Sequence, residues 1–225
     1  MNLCLFDLDD TLIPLDSDHA WGQFMVRQGW VEAAEFEREN EVFFQHYKAG
    51  TLDIHAYVAF ATAPWRRRPA DEQRAAQDRF MQEVISPHLR PAAHELVRHH
   101  QRQGDLVAIV TATNEFVTAP IARAFGVAHL LAVRLERDPG GNITGRIAGV
   151  PSFREGKTVR THEWLASLGH RLQDFDRVSV YSDSANDLPL LEMASDPVAT
   201  NPSAPLEAIA RERGWRILRL FDQAS

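Results

Sequence analysis

The stretch that decides the fold is Leu3-Cys4-Leu5-Phe6-Asp7-Leu8-Asp9-Asp10-Thr11-Leu12. Its apolar run is short and ends in a polar turn, which is typical of a buried strand in a parallel sheet. Asp7 and Asp9 therefore come at the carboxyl end of that strand, where open α/β sheets bind their ligands. Two carboxylates this close repel each other unless a cation or a proton lies between them. The pattern indicates Asp7 as a nucleophile and Asp9 as an acid/base beside a hard divalent cation.

Three further polar clusters follow predicted strands or open predicted helices. The apolar run 106–110 leads into Thr111-Ala112-Thr113-Asn114, and the run 178–181 leads into Ser182-Asp183-Ser184-Ala185-Asn186-Asp187. Lys157 lies between them in the stretch Arg154-Glu155-Gly156-Lys157-Thr158. Because the carboxyl ends of parallel strands share one edge of a sheet, we expect all these clusters to converge there.

These four motifs, in this order, resemble the haloacid dehalogenase superfamily of phosphohydrolases, and most closely its phosphoserine-phosphatase-like branch. The resemblance spans nearly the whole chain. It implies an α/β fold with a doubly wound, mostly parallel, Rossmann-like sheet and an inserted helical cap. Residues 1–14 and 87–225 are expected to form the catalytic core. Residues 15–86 carry aromatic side chains at helical spacing, and are expected to form a cap of about four helices that closes over the site.

The resemblance implies an Mg²⁺-dependent phosphomonoesterase with an aspartyl-phosphate intermediate. Asp7 would attack phosphorus, and Asp9 would protonate the leaving alkoxide and later deprotonate water, which requires a raised pKa. The expected metal ligands are the Asp7 and Asp183 carboxylates and the Asp9 backbone carbonyl. The expected supporting residues are Thr111 and Ala112 for the phosphate, Lys157 for the charge of phosphate and Asp7, Asp187 for metal-bound waters or Lys157, and Asn186 for the phosphate or Lys157.

Each motif also has a purely structural interpretation. Asp7 and Asp9 with Thr11 can form an acidic turn that caps a helix, and Asp183 can cap the helix after it. Thr111 can be an ordinary β-branched residue at a strand end. The joint presence of all four motifs favours the catalytic interpretation.

The substrate-binding positions depart from those of the resembling phosphoserine phosphatases. Where they place an amine-binding glutamate, nine residues after the nucleophile, this chain has Asp16. A gapless alignment places Ala59 where the carboxylate-binding arginine is expected, and the run Arg66 to Arg68 lies a loop away. His19 is a candidate substrate contact, or alternatively a helix-cap or surface residue. We therefore expect phosphoserine to be a mediocre substrate and a small neutral or amine-bearing phosphomonoester to be a better one.

Composition narrows the class of protein. The net charge of −7 gives no basic footprint for nucleic acid. No apolar stretch reaches the ~18 residues of a membrane helix, and the N-terminus lacks the basic region of a signal peptide. The single cysteine, Cys4, excludes an internal disulfide and suggests a reducing compartment, so we expect a cytoplasmic protein. The nine histidines other than His19 lie among polar residues and are expected at the surface.

Other functions remain compatible with parts of this pattern. A phosphotransferase would use the same core with another acceptor in place of water. A receiver-like signalling protein also gathers Asp, Thr and Lys around Mg²⁺, but has no helical insertion after its first strand. A non-catalytic phosphate-binding module would tolerate loss of Asp7 or Lys157, and both are present. A dehalogenase lacks an acid at the position of Asp9. The sequence leaves the leaving alcohol and the oligomeric state open.

Overall fold

The computed structural model describes residues 1–221 and is built around a six-stranded sheet. The strand order is β3-β2-β1-β6-β7-β8, and every neighbouring pair is parallel. The turn Asp138-Pro139-Gly140-Gly141-Asn142, between the runs 132–137 and 143–147, predicts a hairpin before the lysine motif, and β4 and β5 form that antiparallel hairpin. The strands are β1 (Leu3–Phe6), β2 (Leu106–Asn114), β3 (His129–Val133), β4 (Leu135–Arg137), β5 (Ile143–Ile147), β6 (Val178–Ser182), β7 (Asp196–Thr200) and β8 (Arg216–Leu218).

Helices cover both faces of the sheet, which confirms the doubly wound prediction. Alternate side chains of β1 divide between two apolar clusters: Leu3 and Leu5 pack with α7, α8 and α9, and Cys4 and Phe6 pack with α1, α5 and α6. The helices are α1 (Ser17–Arg27), α2 (Ala33–Lys48), α3 (Ile54–Thr62), α4 (Ala70–Phe80), α5 (Pro91–Arg102), α6 (Glu115–Ala124), α7 (Glu155–Ser167), α8 (Leu188–Glu192) and α9 (Ala204–Arg213).

Four α-helices, α1 to α4, follow the first strand, as the aromatic spacing predicts. A π-helical turn, Met81–Ile85, then leads back towards the sheet. The aromatic side chains of this segment pack mostly in the interior. Trp21 and Trp65 are almost fully buried, and the Trp65 ring stacks on Phe116 of α6 at 4.1 Å. One continuous apolar cluster therefore joins residues 15–86 to the sheet side of the molecule.

Two sequence expectations about the strands are wrong. The strand predicted for residues 106–110 continues to Asn114, because β3 resumes pairing at Asn114–Val133 after an irregularity beyond Val110. Thr111 thus lies within the bulged end of β2 and not after it. At the other end of the chain the run Arg216-Ile217-Leu218-Arg219-Leu220 predicts a last strand over residues 216–220, but β8 stops at Leu218.

One histidine departs from the surface prediction. His100 is only 4% exposed, with Nδ1 2.7 Å from Asp105 Oδ2 and Nε2 2.9 Å from the Tyr181 hydroxyl. Burial lowers its pKa, against the opposing effect of Asp105. Cys4 is fully buried, as expected for a small apolar side chain. No helix within residues 1–221 has the length and apolar character needed to cross a membrane.

Candidate active site

A cavity of about 490 Å³ lies between the carboxyl ends of the central strands and helices α1 to α3. It brings together residues from the loop after β1, from the end of β2 and from the loop after β6, which are three of the four places where the sequence predicts a site. Its lining is acidic on the sheet side and aromatic on the helical side. Six aspartates line it, Asp7, Asp9, Asp10, Asp16, Asp18 and Asp183, together with the rings of Phe43, Phe44, Tyr47, Tyr57 and Phe153.

Asp7 is held at the end of β1 by contacts on both sides. Its backbone N–H donates to the Tyr181 carbonyl of β6 at 2.9 Å, which extends the sheet by one residue. Lys157 Nζ donates to Oδ1 at 2.7 Å, and Thr11 Oγ1 lies 3.2 Å from Oδ2. The carboxylate is only 6% exposed yet lines the cavity. Asp7 is therefore a fixed carboxylate that is paired with a lysine and faces the cavity at the end of β1.

Lys157 reaches the site from the first turn of α7. Arg154, before the helix, has φ +52°, and a Cβ on Gly156 would lie 2.0 Å from the Pro151 carbonyl oxygen. Glycine is therefore required for this close turn. Lys157 Nζ also donates to Asp187 Oδ2 at 2.6 Å. Burial opposes its charge, but the carboxylates of Asp187 and Asp7 raise the pKa of Lys157 above its usual value, so the side chain stays cationic.

Asp187 is buried behind this lysine. Its Oδ2 also accepts a hydrogen bond from Ser182 Oγ at 2.8 Å. Burial raises the pKa of Asp187, against the opposing effect of Lys157. Of the two roles expected for Asp187, the geometry therefore favours the orientation of Lys157.

Asp9 lies between α1 and β2. Its Oδ1 accepts from the Ser17 backbone N–H at 2.9 Å, and its Oδ2 accepts from Thr113 Oγ1 at 2.8 Å. Burial, together with the neighbouring Asp16 carboxylate, raises the pKa of Asp9 to about 6. A carboxyl group with such a pKa can both hold and release a proton near neutrality. Sequence reasoning missed Thr113. A signal was available, because residues two apart on a strand point to the same face, so Thr113 lies on the same face as Thr111.

Asp183 faces Asp7 across one hydroxyl group. Thr11 Oγ1 lies 3.1 Å from Asp183 Oδ1 and accepts from the Asp183 backbone N–H at 3.0 Å. Burial and the Asp7 carboxylate raise the pKa of Asp183 well above its usual range. Two carboxylates thus lie on either side of Thr11, and the sequence analysis did not predict that the Thr11 hydroxyl contacts both.

The residues expected to bind phosphate all line the cavity, but they differ in their hydrogen-bond partners. Thr111 and Ala112 line the cavity at the end of β2, and Thr111 Oγ1 accepts from the Thr113 N–H at 3.1 Å. Asn186 also lines the cavity, but its side-chain Nδ2 donates to the Tyr47 carbonyl of α2 at 3.2 Å. Asn186 therefore contacts the helical segment and not Lys157, one of its two expected partners.

Asp16 and His19 both line the cavity, as expected, but both also have structural partners. Asp16 Oδ1 accepts from the Asp18 and His19 backbone N–H groups at 3.0 and 2.8 Å, so Asp16 is the N-cap of α1. The His19 ring nitrogens lie 3.0 Å from Asn40 Nδ2 and 3.1 Å from Gln23 Nε2. His19 is therefore a fixed part of the cavity wall.

The region where the sequence analysis looked for an arginine holds no cation that faces the cavity. Ala59 is exposed, and its carbonyl accepts from Arg66 at 2.9 Å. Arg68 lies over the Trp30 ring at 4.2 Å and pairs with Glu72. Neither arginine lines the cavity; among residues 1–221, Lys48 and His19 are its basic lining residues.

Within residues 1–221, no three side chains of His, Cys, Asp or Glu converge as a metal-binding set. The donors available at the end of β1 are of another kind, two carboxylates and the backbone carbonyl of Asp9. Such a set can hold a hard cation whose remaining positions are filled by water and substrate oxygen atoms.

Comparison with known proteins gives the class to which this fold and site belong. Residues 4–192 match the family described as haloacid dehalogenase-like hydrolase. A protein named histidinol-phosphatase from Neisseria meningitidis serogroup C (strain 8013) is 45% identical over 217 residues, covering 96% of this chain and 98% of that protein. A phosphoserine phosphatase from Mycobacterium tuberculosis (strain ATCC 25618 / H37Rv) is 30% identical over 215 residues, covering 94% and 68%.

Solved structures agree with the family match. A crystal structure of a protein with unknown function from Bordetella pertussis Tohama I has a TM-score of 0.92 and 48% identity, and covers 98% of this chain and 99% of that one. A substrate-bound phosphoserine phosphatase has a TM-score of 0.65 at 19% identity, covering 96% and 91%, which is a likeness of fold alone.

The chain belongs to the haloacid dehalogenase-like hydrolase family, in its phosphoserine-phosphatase-like branch. It is an enzyme of the phosphoric monoester hydrolase type. The six-stranded sheet is the core of that fold, and the helices inserted after β1 correspond to its cap.

Proposed function

We propose that this enzyme hydrolyses a small phosphomonoester through a covalent phosphate adduct on Asp7. The observation that carries the proposal is the pair of aspartates after β1. Asp7 is fixed against Lys157 at 2.7 Å, and Asp9, two residues on, has a pKa raised to about 6. One carboxylate is suited to attack, and the other to hold a proton until the leaving alkoxide takes it.

In the first half-reaction Asp7 Oδ attacks phosphorus, the ester P–O bond breaks, and Asp9 gives its proton to the departing alcohol oxygen. In the second half-reaction Asp9 takes a proton from water, which attacks the phosphorus of the adduct and releases phosphate and free Asp7. Lys157 offsets the negative charge of Asp7 and of the phosphate throughout. The Thr111 hydroxyl and the Ala112 N–H, at the end of β2, are suited to hold the phosphate oxygens.

The residues present fit a magnesium ion. Asp7 and Asp183 both lie within 3.2 Å of Thr11 Oγ1, and burial, followed by the neighbouring Asp7 carboxylate, raises the pKa of Asp183. Their carboxylates and the Asp9 carbonyl would hold the ion. When bound, Mg²⁺ supplies positive charge to the phosphate oxygens and keeps both carboxylates ionised.

We propose histidinol phosphate as the preferred substrate. Support comes from the histidinol-phosphatase relative, matched over almost the full length of both chains, and from the cavity itself. Asp16 and Asp18 give the cap side of the cavity negative charge, and its aromatic rings offer faces to a planar heterocycle. A free substrate carboxylate finds no arginine among the described lining residues, so phosphoserine is disfavoured. We also propose that residues 15–86 close as a cap over bound substrate.

The test is phosphate release from histidinol phosphate with Mg²⁺ by the wild type and by Asp7→Asn. We expect the variant to lose several orders of magnitude in kcat, because within residues 1–221 no other carboxylate is fixed by Lys157 and also lines the cavity. Lys157 keeps its contact with Asp187, so the variant should remain folded, which circular dichroism checks. Wild-type-like phosphate release by folded Asp7→Asn protein would refute the mechanism.

A substrate comparison tests the specificity separately. We expect kcat/KM for histidinol phosphate and phosphoethanolamine to exceed that for phosphoserine at fixed Mg²⁺, because a buried site rejects a charge that it cannot pair. Counting free phosphate also separates hydrolysis from transfer to another acceptor. A clear preference for phosphoserine would contradict this specificity and would show that a basic side chain, either Lys48 of the lining or one outside it, reaches the substrate carboxylate.

A further inference from the structure

Asp18 is a buried carboxylate that the reaction outlined above does not use. It lies in the first turn of α1, is 8% exposed, and lines the cap side of the cavity. Asn114 Nδ2 donates to its Oδ1 at 3.2 Å, and the Tyr57 hydroxyl from α3 also hydrogen-bonds to it. Both ion pairs that residues 1–221 form at the cavity belong to Lys157, so none reaches Asp18.

Asp16 is placed differently, although it is only two residues away. One of its oxygens already accepts two backbone N–H groups at the start of α1. That contact is a helix cap and stabilises the fold whether or not a ligand is present. The Asp18 side chain does not cap its helix, since its partners come from two other elements, β2 and α3. These partners orient the carboxylate but leave its charge uncompensated.

The wall around Asp18 is an independent sign of a cationic ligand. The rings of Phe43, Phe44 and Tyr57 line the same side of the cavity. The Lys48 ammonium nitrogen lies 3.9 Å from the centroid of the Phe44 ring, so this wall already holds one cation against an aromatic face. An aromatic wall beside an uncompensated carboxylate suits a group that is both cationic and attached to carbon or to a flat ring.

Burial makes this carboxylate costly without such a partner. Burial, then the neighbouring Asp16, raise the pKa of Asp18 to about 7, while the Tyr57 hydroxyl opposes the shift. A group with this pKa is partly protonated near neutrality when no cation lies beside it. A cationic group placed beside it would restore the charged form and gain a charge-assisted hydrogen bond.

We infer that Asp18, oriented by Tyr57 and Asn114, pairs with the cationic nitrogen of the leaving alcohol. The substrate class is then a phosphomonoester of a small alcohol that carries an ammonium or imidazolium group, with its carbon skeleton against the Phe43 and Phe44 rings. This inference rests on the proposed function, because it assigns a partner to the substrate of that same site. It makes Asp18 a specificity-determining residue that lies outside the reacting aspartates.

The experiment compares kcat/KM for cationic and neutral substrates in wild type, Asp18→Asn and Tyr57→Phe at pH 7.5 with Mg²⁺. The matched substrates are histidinol phosphate and 3-phenylpropyl phosphate. We expect Asp18→Asn to lower the cationic-to-neutral ratio on the order of 10- to 100-fold, the worth of one hydrogen bond to a charged group. Tyr57→Phe should lower it by less, because it removes only the hydroxyl. Asp78→Asn, at an exposed position on α4, is the control and should leave the ratio unchanged.

Two further substrates identify which nitrogen Asp18 contacts. Phosphoethanolamine carries only an ammonium group, and 3-(imidazol-4-yl)propyl phosphate carries only the ring. The substrate whose kcat/KM falls in Asp18→Asn names the group, and a fall in either one supports the inference.

A ratio that stays at the wild-type value in folded Asp18→Asn protein overturns the inference. Equal losses on cationic and neutral substrates also overturn it, since they indicate a structural role. Neither result touches the proposed function, which fails separately if the wild type releases no phosphate from any of these substrates. Thermal unfolding of each variant verifies that it is folded.

Discussion

The carboxylates of the loop after β1 and of the loop after β6 do different work because their partners differ. Asp7 and Asp183 share the Thr11 hydroxyl, whereas Asp9 is bonded to Ser17 and Thr113 on the other side of the loop. The Asp9 side chain is therefore free of the proposed metal site, to which only its backbone carbonyl contributes. Changes at Asp9 and at Asp183 should separate proton transfer from metal binding.

Asp9→Asn should retain Mg²⁺ affinity and lose on the order of 10²- to 10⁴-fold in kcat, the usual contribution of a positioned acid/base. Asp183→Ala should instead weaken Mg²⁺ binding at least about tenfold, since it removes one of two carboxylate ligands. Isothermal titration with Mg²⁺ and a phosphate-release assay on both variants measure the two effects. Mg²⁺ affinity lost in Asp9→Asn and kept in Asp183→Ala would reverse the assigned roles.

Thr113 offers a test of how Asp9 is oriented. Its hydroxyl donates to Asp9 Oδ2 at 2.8 Å from a buried position on β2. Thr113→Val keeps the shape and removes this bond, so kcat should fall about tenfold while Mg²⁺ affinity stays. Thr118→Val is the matched control, because the Thr118 hydroxyl is also buried but bonds only to the Asn114 carbonyl. Equal kcat values in the two variants would show that Thr113 does not orient Asp9.

At the residue scale, the sequence predicts which side chains lie near one another at the cavity, but not which contacts they make. Asp7, Asp9 and Asp183 follow strands, and strand ends of one sheet meet by necessity. Lys157 contacts Asp7, although it is 150 residues away. Asn186 was expected near phosphate or lysine, yet bonds to Tyr47. The hydrogen-bond partner of the Asn186 amide depends on how α2 packs against the loop after β6. The spacing of residues in the sequence does not give that packing.

At the scale of elements, two hydrogen bonds join the end of α2 and the turn after it to other parts of the chain. Arg154 donates to the Gly50 carbonyl at 2.8 Å, and Asn186 donates to the Tyr47 carbonyl at the end of α2. Gly50 has φ +69°, and a Cβ there would lie 3.2 Å from the Arg154 guanidinium. Arg154 itself has φ +52°, a conformation that non-glycine residues adopt at a cost of about 1–3 kcal/mol. The first bond ties the turn after α2 to the residue before α7, the helix that carries Lys157, and the second ties the end of α2 to the loop after β6.

Arg154→Ala should therefore loosen the turn between α2 and α3 and raise KM several-fold, with a smaller effect on kcat. The variant loses the bond to Gly50 but leaves Lys157 and its carboxylate partners in place. Hydrogen exchange at residues 47–53 should become faster. Arg137→Ala is the control, because Arg137 donates to the Gly141 carbonyl at 3.0 Å in the distant hairpin. Unchanged exchange at residues 47–53 would contradict the role given to Arg154.

The elements themselves were largely predictable, and the exceptions have physical causes. Apolar runs that end in polar turns predicted the central strands, and the spacing of aromatic side chains predicted the four helices after β1. The end of β2 was not predictable, because its pairing resumes at Asn114 only after an irregularity that depends on β3. His100 looks like a surface residue among polar neighbours, but its partners Asp105 and Tyr181 bury it. Both errors come from contacts distant in sequence or in another element.

At the scale of the whole molecule, the cavity concentrates negative charge that the folded chain does not neutralise. Burial raises the pKa of Asp10 to about 6 and of Asp18 to about 7, and neighbouring aspartates add to both shifts. This excess, together with the negative charge of a bound phosphate, is what the proposed metal ion and the proposed cationic group of the substrate would balance. The charge balance could not be predicted from the net charge of −7, which does not locate any carboxylate.

Asp18 gives this balance a measurable effect on stability. The groups that face it are Asp16 on its own helix, Asp9 and Asn114 from the sheet side, and Tyr57 from α3. Its pKa is about 7 in the folded state against an ordinary value of 3.8, so the native state binds more protons between these values. Unfolding free energy must then fall as pH rises through this range, by up to about 1.4 kcal/mol per pH unit for one group.

Asp18→Asn should therefore make the decline in unfolding free energy between pH 5 and 6.5 shallower than in the wild type. Urea unfolding in EDTA at several pH values measures the slope without bound metal. The remaining aspartates with raised pKa contribute a decline of the same sign to both proteins, so the difference in slope isolates Asp18. Asp78→Asn should keep the wild-type slope, because Asp78 is exposed on α4. Identical slopes in wild type and Asp18→Asn would mean that the charge of Asp18 is already compensated in the free enzyme, without a ligand.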